Sequence, residues 1–129
     1  LVNKWKFLGL GICVNDLESA SGYYSKLGYE TIEEKKVRKE WKIISQEFYV
    51  SNVLFELIQA EKDSIYRNSL AQRGDGVAEM IFQVSDLKTE MDLLKLKGAT
   101  ILKVSDDKKM AYIDSCMKGN LLTRLIEKE

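Results

Sequence analysis

Histidine is missing altogether from the 129 residues of this chain, and cysteine occurs only at Cys13 and Cys116. With no imidazole there is no Ser-His-Asp triad and no zinc site of the imidazole-bearing kind. The same lack leaves Cys13 without an activating base, so it reads as a small, half-buried strand residue, not a nucleophile. Two cysteines so far apart would bridge only in an oxidising compartment. Leu1-Val2-Asn3-Lys4 begins no signal peptide with a long apolar stretch, so free thiols are the better reading. Long apolar runs are lacking as well; none approaches the roughly 20 residues that cross a bilayer. A cytoplasmic location and no membrane partner are therefore expected. Neither sign of charge is in excess, since 20 basic residues meet 20 acidic ones. No basic block stands apart, which removes the electrostatic footprint of a nucleic-acid binder. The densest basic cluster, Lys35-Lys36-Val37-Arg38-Lys39, is flanked by Glu33, Glu34 and Glu40. It reads as a solvated loop or an edge strand whose lysines discourage edge pairing.

What the chain does have is itself, twice. Val14-Asn15-Asp16-Leu17 returns as Val84-Ser85-Asp86-Leu87, and Gly28 returns as Gly98, each displaced by seventy residues. The segment from Val53 to Gln59 returns from Leu121 to Glu127 with a shift of sixty-eight. One chain therefore holds two copies of one unit. At 45% hydrophobic and 31% charged it is long enough for one well-buried domain and short for two independent ones. A single domain over 1–129 is expected, with one module over about 1–60, a linker over about 63–76 and a second module over about 77–129.

Each unit reads as a strand, a helix and then three strands, which makes the chain α+β. Lys6 to Val14 is apolar and small, as a strand requires. Asp16 and Asp86 then offer a side-chain oxygen to the free amides of a helix start. Leu17, Ala20, Tyr24 and Leu27 fall at helical spacing, as do Leu87, Met91 and Leu94, giving one buried stripe per helix. Gly28 and Gly98 stop the helices through the left-handed conformation that glycine tolerates. Strands are expected over Tyr29 to Ile32, Lys42 to Val50 and Val53 to Gln59 in the first unit. The second unit has Thr100 to Val104, Lys109 to Ile113 and Leu121 to Glu127. Ser51-Asn52 is the turn of a hairpin. Between the units, Ile65, Tyr66 and Leu70 have helical spacing ahead of Arg73-Gly74-Asp75-Gly76, which reads as turn chemistry and not as an adhesion triplet.

Several stretches carry a resemblance that covers nearly the whole chain. They are Gly11-Ile12-Cys13-Val14-Asn15-Asp16-Leu17, Tyr23-Tyr24-Ser25-Lys26-Leu27-Gly28-Tyr29, Phe55-Glu56-Leu57-Ile58, and Tyr112-Ile113-Asp114 before Gly119-Asn120. Their order resembles the glyoxalase, bleomycin-resistance and extradiol-dioxygenase superfamily, the vicinal oxygen chelate proteins. The stretch from Ser64 to Val84 resembles methylmalonyl-CoA epimerases within it. The resemblance implies two βαβββ modules forming a glyoxalase-like, cup-shaped curved sheet, commonly in a homodimer.

It also implies where chemistry belongs: one residue in the first strand and one in the last strand of each module, converging on a divalent metal that stabilises an enolate-like charge. Those positions fall here on Gly9, Glu56, Glu79 and Arg124. The internal repeat agrees, since Gly9 and Glu79 are seventy apart and Glu56 and Arg124 sixty-eight. Two carboxylates suit a hard cation, but a guanidinium at a third position repels it. No cofactor is therefore favoured, and a divalent metal on Glu56 and Glu79 is the alternative. Arg124 serves either as the centre of an ion-pair cluster with the two glutamates or as a donor to an acidic or carbonyl-bearing ligand.

Strand alternation sends Ile81 and Gln83 to the side of Glu79, and Gly11 and Cys13 to the side of Gly9, where the two glycines leave space. The expected ligand-binding set is thus Gly9, Gly11, Cys13, Glu56, Glu79, Ile81, Tyr112 and Arg124. Trp5, Trp41, Phe48, Tyr49, Tyr66 and Tyr112 are either stacking surfaces or plain core and dimer contacts. No catalytic residue is identified; Glu56, Glu79 and Glu40 are the candidates, Glu40 because epimerases carry a glutamate near that register. Three functions follow. One is a metal-free binding protein holding an apolar or flat small molecule above a Glu/Arg floor. Another is a metal-dependent epimerase or lyase using Glu56 and Glu79. The third is an interaction domain whose cup is filled by its own side chains.

Overall fold

The structure is a computed structural model describing residues 4–29, 33–67, 74–114 and 121–128. The first module runs β1 (Lys6–Cys13), α1 (Leu17–Lys26), β2 (Lys36–Arg38), β3 (Ile43–Val50) and β4 (Val53–Ala60). The second runs β5 (Gly76–Val84), α2 (Leu87–Leu96), β6 (Ile101–Val104), β7 (Met110–Ile113) and β8 (Leu122–Glu127). The fold is α+β, with two βαβββ modules as the repeat requires. Strand order is β2-β3-β4-β1 in the first module and β6-β7-β8-β5 in the second, so the last strand of each lies parallel to the first. Two compact units divide the chain: Gly9–Ala78, and Leu1–Leu8 with Glu79–Glu129.

Local chemistry repeats along with the topology. Asp16 takes an extended backbone and accepts from the amides of Glu18 and Ser19, and Asp86 accepts from Thr89. Their carboxyls are held below the usual range chiefly by bonds from Ser19 and Thr89. Both helices end in the same double bond across a left-handed glycine. Gly28 donates to Ser25 and Tyr29 to Tyr24, while Gly98 donates to Lys95 and Ala99 to Leu94. Burial repeats residue by residue, the pattern over Asn15 to Tyr29 recurring over Ser85 to Ala99.

A further tie joins helix to sheet. The amide of Leu17 donates to the side chain of Gln59 at 2.8 Å, and that of Leu87 to Glu127 at 2.8 Å. Each last strand thus supplies an acceptor for an amide that a helix start leaves open. Glu127 also meets Lys109 at 2.5 Å, the main reason its carboxyl sits below the usual range.

These ties give every sheet a covered face. In the first unit Ile12, Val14, Leu17, Phe48 and Leu57 form the core, with Tyr24, Tyr29 and Phe55 packed on it. The rings of Phe48 and Phe55 stack at 5.3 Å. In the second, Val84, Leu87, Ala111, Ile113 and Leu125 play the same part, with Trp5 and Phe82 against them at a centroid distance of 5.5 Å. Burying each such side chain contributes about 1.5–3 kcal/mol.

Two expectations need correcting. The second strand described in the first module is Lys36–Arg38, within the basic cluster; of the strand expected over Tyr29 to Ile32, Tyr29 packs on the core and 30–32 lie outside the described residues. Pairing between Lys36 and Ser45 and between Arg38 and Ile43 makes it the outer strand of the module, the role the cluster allowed. Leu27 is 52% exposed and drops out of the helical stripe, because the chain is already turning into Gly28. The linker helix expected over 63–76 falls partly outside the described residues. Of its described ends, Asp63 to Tyr66 form turns, Arg67 is helical and Gly76 opens β5. Asp75 is a turn residue, as expected, and its carboxylate accepts from the amide of Asn15 at 3.0 Å.

Replacing Gln59 with leucine removes the acceptor for Leu17 while keeping apolar bulk. The expected cost is about 1 kcal/mol in urea unfolding, with the strand spectrum retained.

Candidate functional site

Period-two alternation and the ladder register decide which side chains share the face away from each helix. In the first module Glu56 stands opposite Gly11 on one neighbour and Glu47 on the other. Leu54 and Ile58 flank it, and Cys13 pairs with Ile58. In the second, Arg124 stands opposite Ile81 and Tyr112, and Glu79 opposite Leu122 two places along. The modules therefore agree in register: Gly9 meets Leu54 as Glu79 meets Leu122, and Gly11 meets Glu56 as Ile81 meets Arg124. Each repeat-derived pair lies on a helix-free face, and nearly all its members are buried. Glu56 and Arg124 are 2% exposed, and Glu79 and Ile81 are fully buried.

Burial of charge demands a partner. Arg124 meets Glu79 with Nη2 2.5 Å from Oε1, and its guanidinium lies 5.8 Å above the centroid of the buried Tyr112 ring. Nη1 donates to Sδ of Met110 at 3.8 Å, a contact with a weak acceptor. Arginine suits this place because its planar fork can hold a carboxylate, a sulfur and a ring at once.

The first module handles its acids differently. Glu47, directly across from Glu56, is a like charge on the same face, an unfavourable arrangement by itself. Lys36 at 3.0 Å and Arg38 at 3.7 Å compensate it from β2. The bond from Lys36 to Glu47 is the largest cause holding the ammonium above its ordinary value. Arg38 also donates to the fully buried Ser45.

At Gly9 one expectation fails on geometry. A Cβ added there would lie 1.8 Å from the carbonyl oxygen of Leu54 and 2.6 Å from its carbonyl carbon. This glycine leaves no space for a side chain; it lets two backbones approach closely. This first of the four positions that the resemblance marks cannot hold a side chain without moving β1 or β4.

The remaining candidates are scattered. Glu40 lies exposed on the 3-10 turn Lys39–Trp41, ahead of the left-handed Lys42. Tyr112 is on the helix-free face, whereas Phe48 and Trp5 belong to the helix-side cores, and Trp5 donates to Glu90 at 2.8 Å. Tyr66 and Trp41 are buried beside Ser64, which donates to the Trp41 carbonyl. Tyr49 is 46% exposed on the face of Glu47. Cys13 is buried; Cys116 lies outside the described residues. Among the described residues no group of three or more acidic or thiol side chains is gathered as for a metal ion, and no helix is long and apolar enough to cross a membrane.

Sequence reasoning missed Glu47, Arg38 and Met110. The expected Ser51-Asn52 turn already fixes Glu47 opposite Glu56, so that signal was present. Met110 follows only from the β7–β8 register, which the length of the connection between those strands leaves open in a sequence.

The sequence profile of the Glyoxalase/Bleomycin resistance protein/Dioxygenase superfamily matches residues 6–116, and the chain belongs to that family. No curated protein matches the sequence. Among solved structures, a hypothetical protein from Bacillus halodurans C-125 superposes with a TM-score of 0.81 at 14% identity, covering 97% of this chain and 95% of that one. Methylmalonyl-CoA epimerase from Mycobacterium tuberculosis gives 0.78 at 22% identity, covering 96% and 88%. A Streptomyces coelicolor methylmalonyl-CoA epimerase variant in complex with 2-nitronate-propionyl-CoA gives 0.79 at 20%, covering 95% and 94%. Identities this low show a common fold.

Two outcomes follow from this geometry. Replacing Arg124 with methionine strands the buried Glu79 carboxylate and costs about 3–5 kcal/mol in denaturant unfolding, most of which returns when Glu79 is changed to leucine as well. Gly9→Ala is expected to cost about 3 kcal/mol or more through overpacking, and Gly9→His to gain no affinity for nickel or zinc by calorimetry.

Proposed function

We propose that this chain is a metal-free small-molecule-binding member of its family, holding an apolar or flat ligand on the helix-free face that carries Glu79 and Arg124. The observation that carries the reading is the buried guanidinium 2.5 Å from the Glu79 carboxylate, at a position the family gives to a metal ligand. Two unit charges 4 Å apart repel by about 4 kcal/mol at an effective dielectric of 20, and a dication doubles that. Glu79 meanwhile is engaged by the arginine. In the first module Gly9 has no side chain to offer and no room for one, which leaves Glu56 as the single first-module ligand of the set. Such a set does not fit a divalent metal, and the enolate chemistry of an epimerase or lyase loses its electrophile. Small-molecule sites pair an apolar lining with few polar groups, and Ile81, Leu122 and Tyr112 beside Arg124 and Glu79 have that character. A homodimer, implied by the family likeness, belongs to the same proposal and is checked by light scattering.

Metal analysis of tag-free protein is expected to find no stoichiometric metal, and magnesium, manganese, nickel and zinc to leave the melting temperature unchanged. A flat aromatic ligand at about 100 times its Kd should add roughly 2.7 kcal/mol and raise it by several degrees. Bound metal lost on Glu56→Gln or Glu79→Gln, or metal-dependent turnover of an acyl-CoA or a hemithioacetal, would transfer the chain to the epimerase or lyase class.

A further inference from the structure

We infer that the first module carries a second ligand site on its helix side, a groove that takes a small aromatic amine, the ring lying along Tyr23 and Ala20 and the ammonium meeting Asp16 and Asp75. The site is separate from the helix-free face and stands or falls apart from the binding reading above.

The internal repeat supplies the template. Trp5 and Asp75 are counterparts, seventy residues apart, each placed just ahead of the first strand of a module. Trp5 packs on the second module's core, its ring 5.5 Å from that of Phe82 and its indole nitrogen donating to Glu90 at 2.8 Å. Asp75 takes the corresponding post on the first module, where its carboxylate accepts from the amide of Asn15. An aspartate is far smaller than an indole. Phe82 and Glu90 have Ile12 and Ala20 as their counterparts, again smaller side chains. Three bulky residues on one module thus answer to three compact ones on the other. The place that Trp5 fills on the second module is open on the first, as a groove of about 480 Å³ lined by Ile12, Ala20 and Asp75 among others. That size lies in the range of small-molecule sites, and all the lining residues belong to the unit Gly9–Ala78.

The lining says what fits. Ile12 and Val14 make an apolar floor, while Tyr23 is 59% exposed and Tyr24 half-buried beside it. Where the second module has Leu93 and Leu94, the first offers these two rings, edge to face at 5.3 Å. An aromatic face attracts both a flat ring and a cation. The polar end is acidic. Asp16 and Asp75 are exposed on the groove, and among its described lining residues there is no lysine or arginine. Lys35, the cation whose charge reaches Asp16, pairs with Glu18 at 3.1 Å. Asp16 gives Oδ1 to the amides of Glu18 and Ser19 and Oδ2 to the Ser19 hydroxyl, and Asp75 gives Oδ1 to Asn15. A carboxylate accepts at about four positions, so each keeps room for an ammonium hydrogen. On the second module the indole N–H ends on Glu90; on the first, Ala20 has no acceptor to give, and a ligand's donor is drawn to the two aspartates instead.

Tryptamine, tryptophol and indole-3-propionate share one ring and differ in charge, and calorimetry at pH 7.5 with NMR of the tyrosine rings compares them. Tryptamine is expected to bind about 5-fold more tightly than tryptophol, the scale of exposed ion pairs, and indole-3-propionate more weakly than either. The Tyr23 ring signal, assigned through Tyr23→Leu, should shift with tryptamine. Asp75→Asn is expected to reduce the preference for tryptamine over tryptophol. Ala20→Trp, which fills the groove as Trp5 fills its counterpart, should abolish binding of both. If Ala20→Trp fails to fold, the three wild-type titrations and the Tyr23 signal decide. Equal binding of tryptamine and tryptophol, preference for the acid, an unmoved Tyr23 signal, or no binding at millimolar concentration each overturns the inference. So does binding that weakens as protein concentration rises, the sign of a second copy of the chain seated on the groove.

Discussion

At the start of each helix one backbone amide is held by a side chain reaching from the last strand of its module, Gln59 for Leu17 and Glu127 for Leu87. That bond fixes the helix over the parallel pair formed by the first and last strands and so determines which sheet face is covered. Everything else follows from this sidedness. Leu17 and Leu87 are pressed into their cores, alternation sends Phe48, Leu57, Phe82 and Leu125 after them, and the intervening positions go to the open side. Glu56, Glu79 and Arg124 are buried polar residues because a strand cannot place all its side chains on the helix side.

Two modules of one design have met the cost of buried acid by different routes. The second brings a cation onto the same face, two positions along the neighbouring strand, and completes the arrangement with a ring and a sulfur. In the first, Lys36 and Arg38 stand on the outer strand and pair with Glu47, directly across from Glu56. The second arrangement is compact and shielded, while the first reaches towards solvent and responds more readily to salt.

The repeat made the modules, the helix caps and the facing of strands legible before any coordinates. A shift of seventy at Asp16 and Asp86 marks equivalent helix starts, and alternation from Glu79 puts Ile81 beside it and Phe82 opposite, as the cores show. Less visible were features that depend on contacts between strands far apart in sequence. The short strand at Lys36 is set by pairing with β3 and not by its own apolar pattern. The partners of Arg124 beyond Glu79 depend on the register of β7 against β8. Gly9 read as empty room, since a sequence shows that a side chain is absent and not that a backbone has moved into its place.

That last feature bears on any rebuilding of the site. At Gly9 the occupied volume belongs to the main chain of Leu54, so residue identity and backbone path have become linked. An engineer who added a side chain at Gly9 by substitution alone would find the place blocked. β1 has to be reshaped, by a bulge or a shifted register, before any side chain can be placed there. Distance from a relative with a side chain at this position is therefore measured here in backbone geometry as well as in the number of exchanged letters, and a count of matching residues understates it.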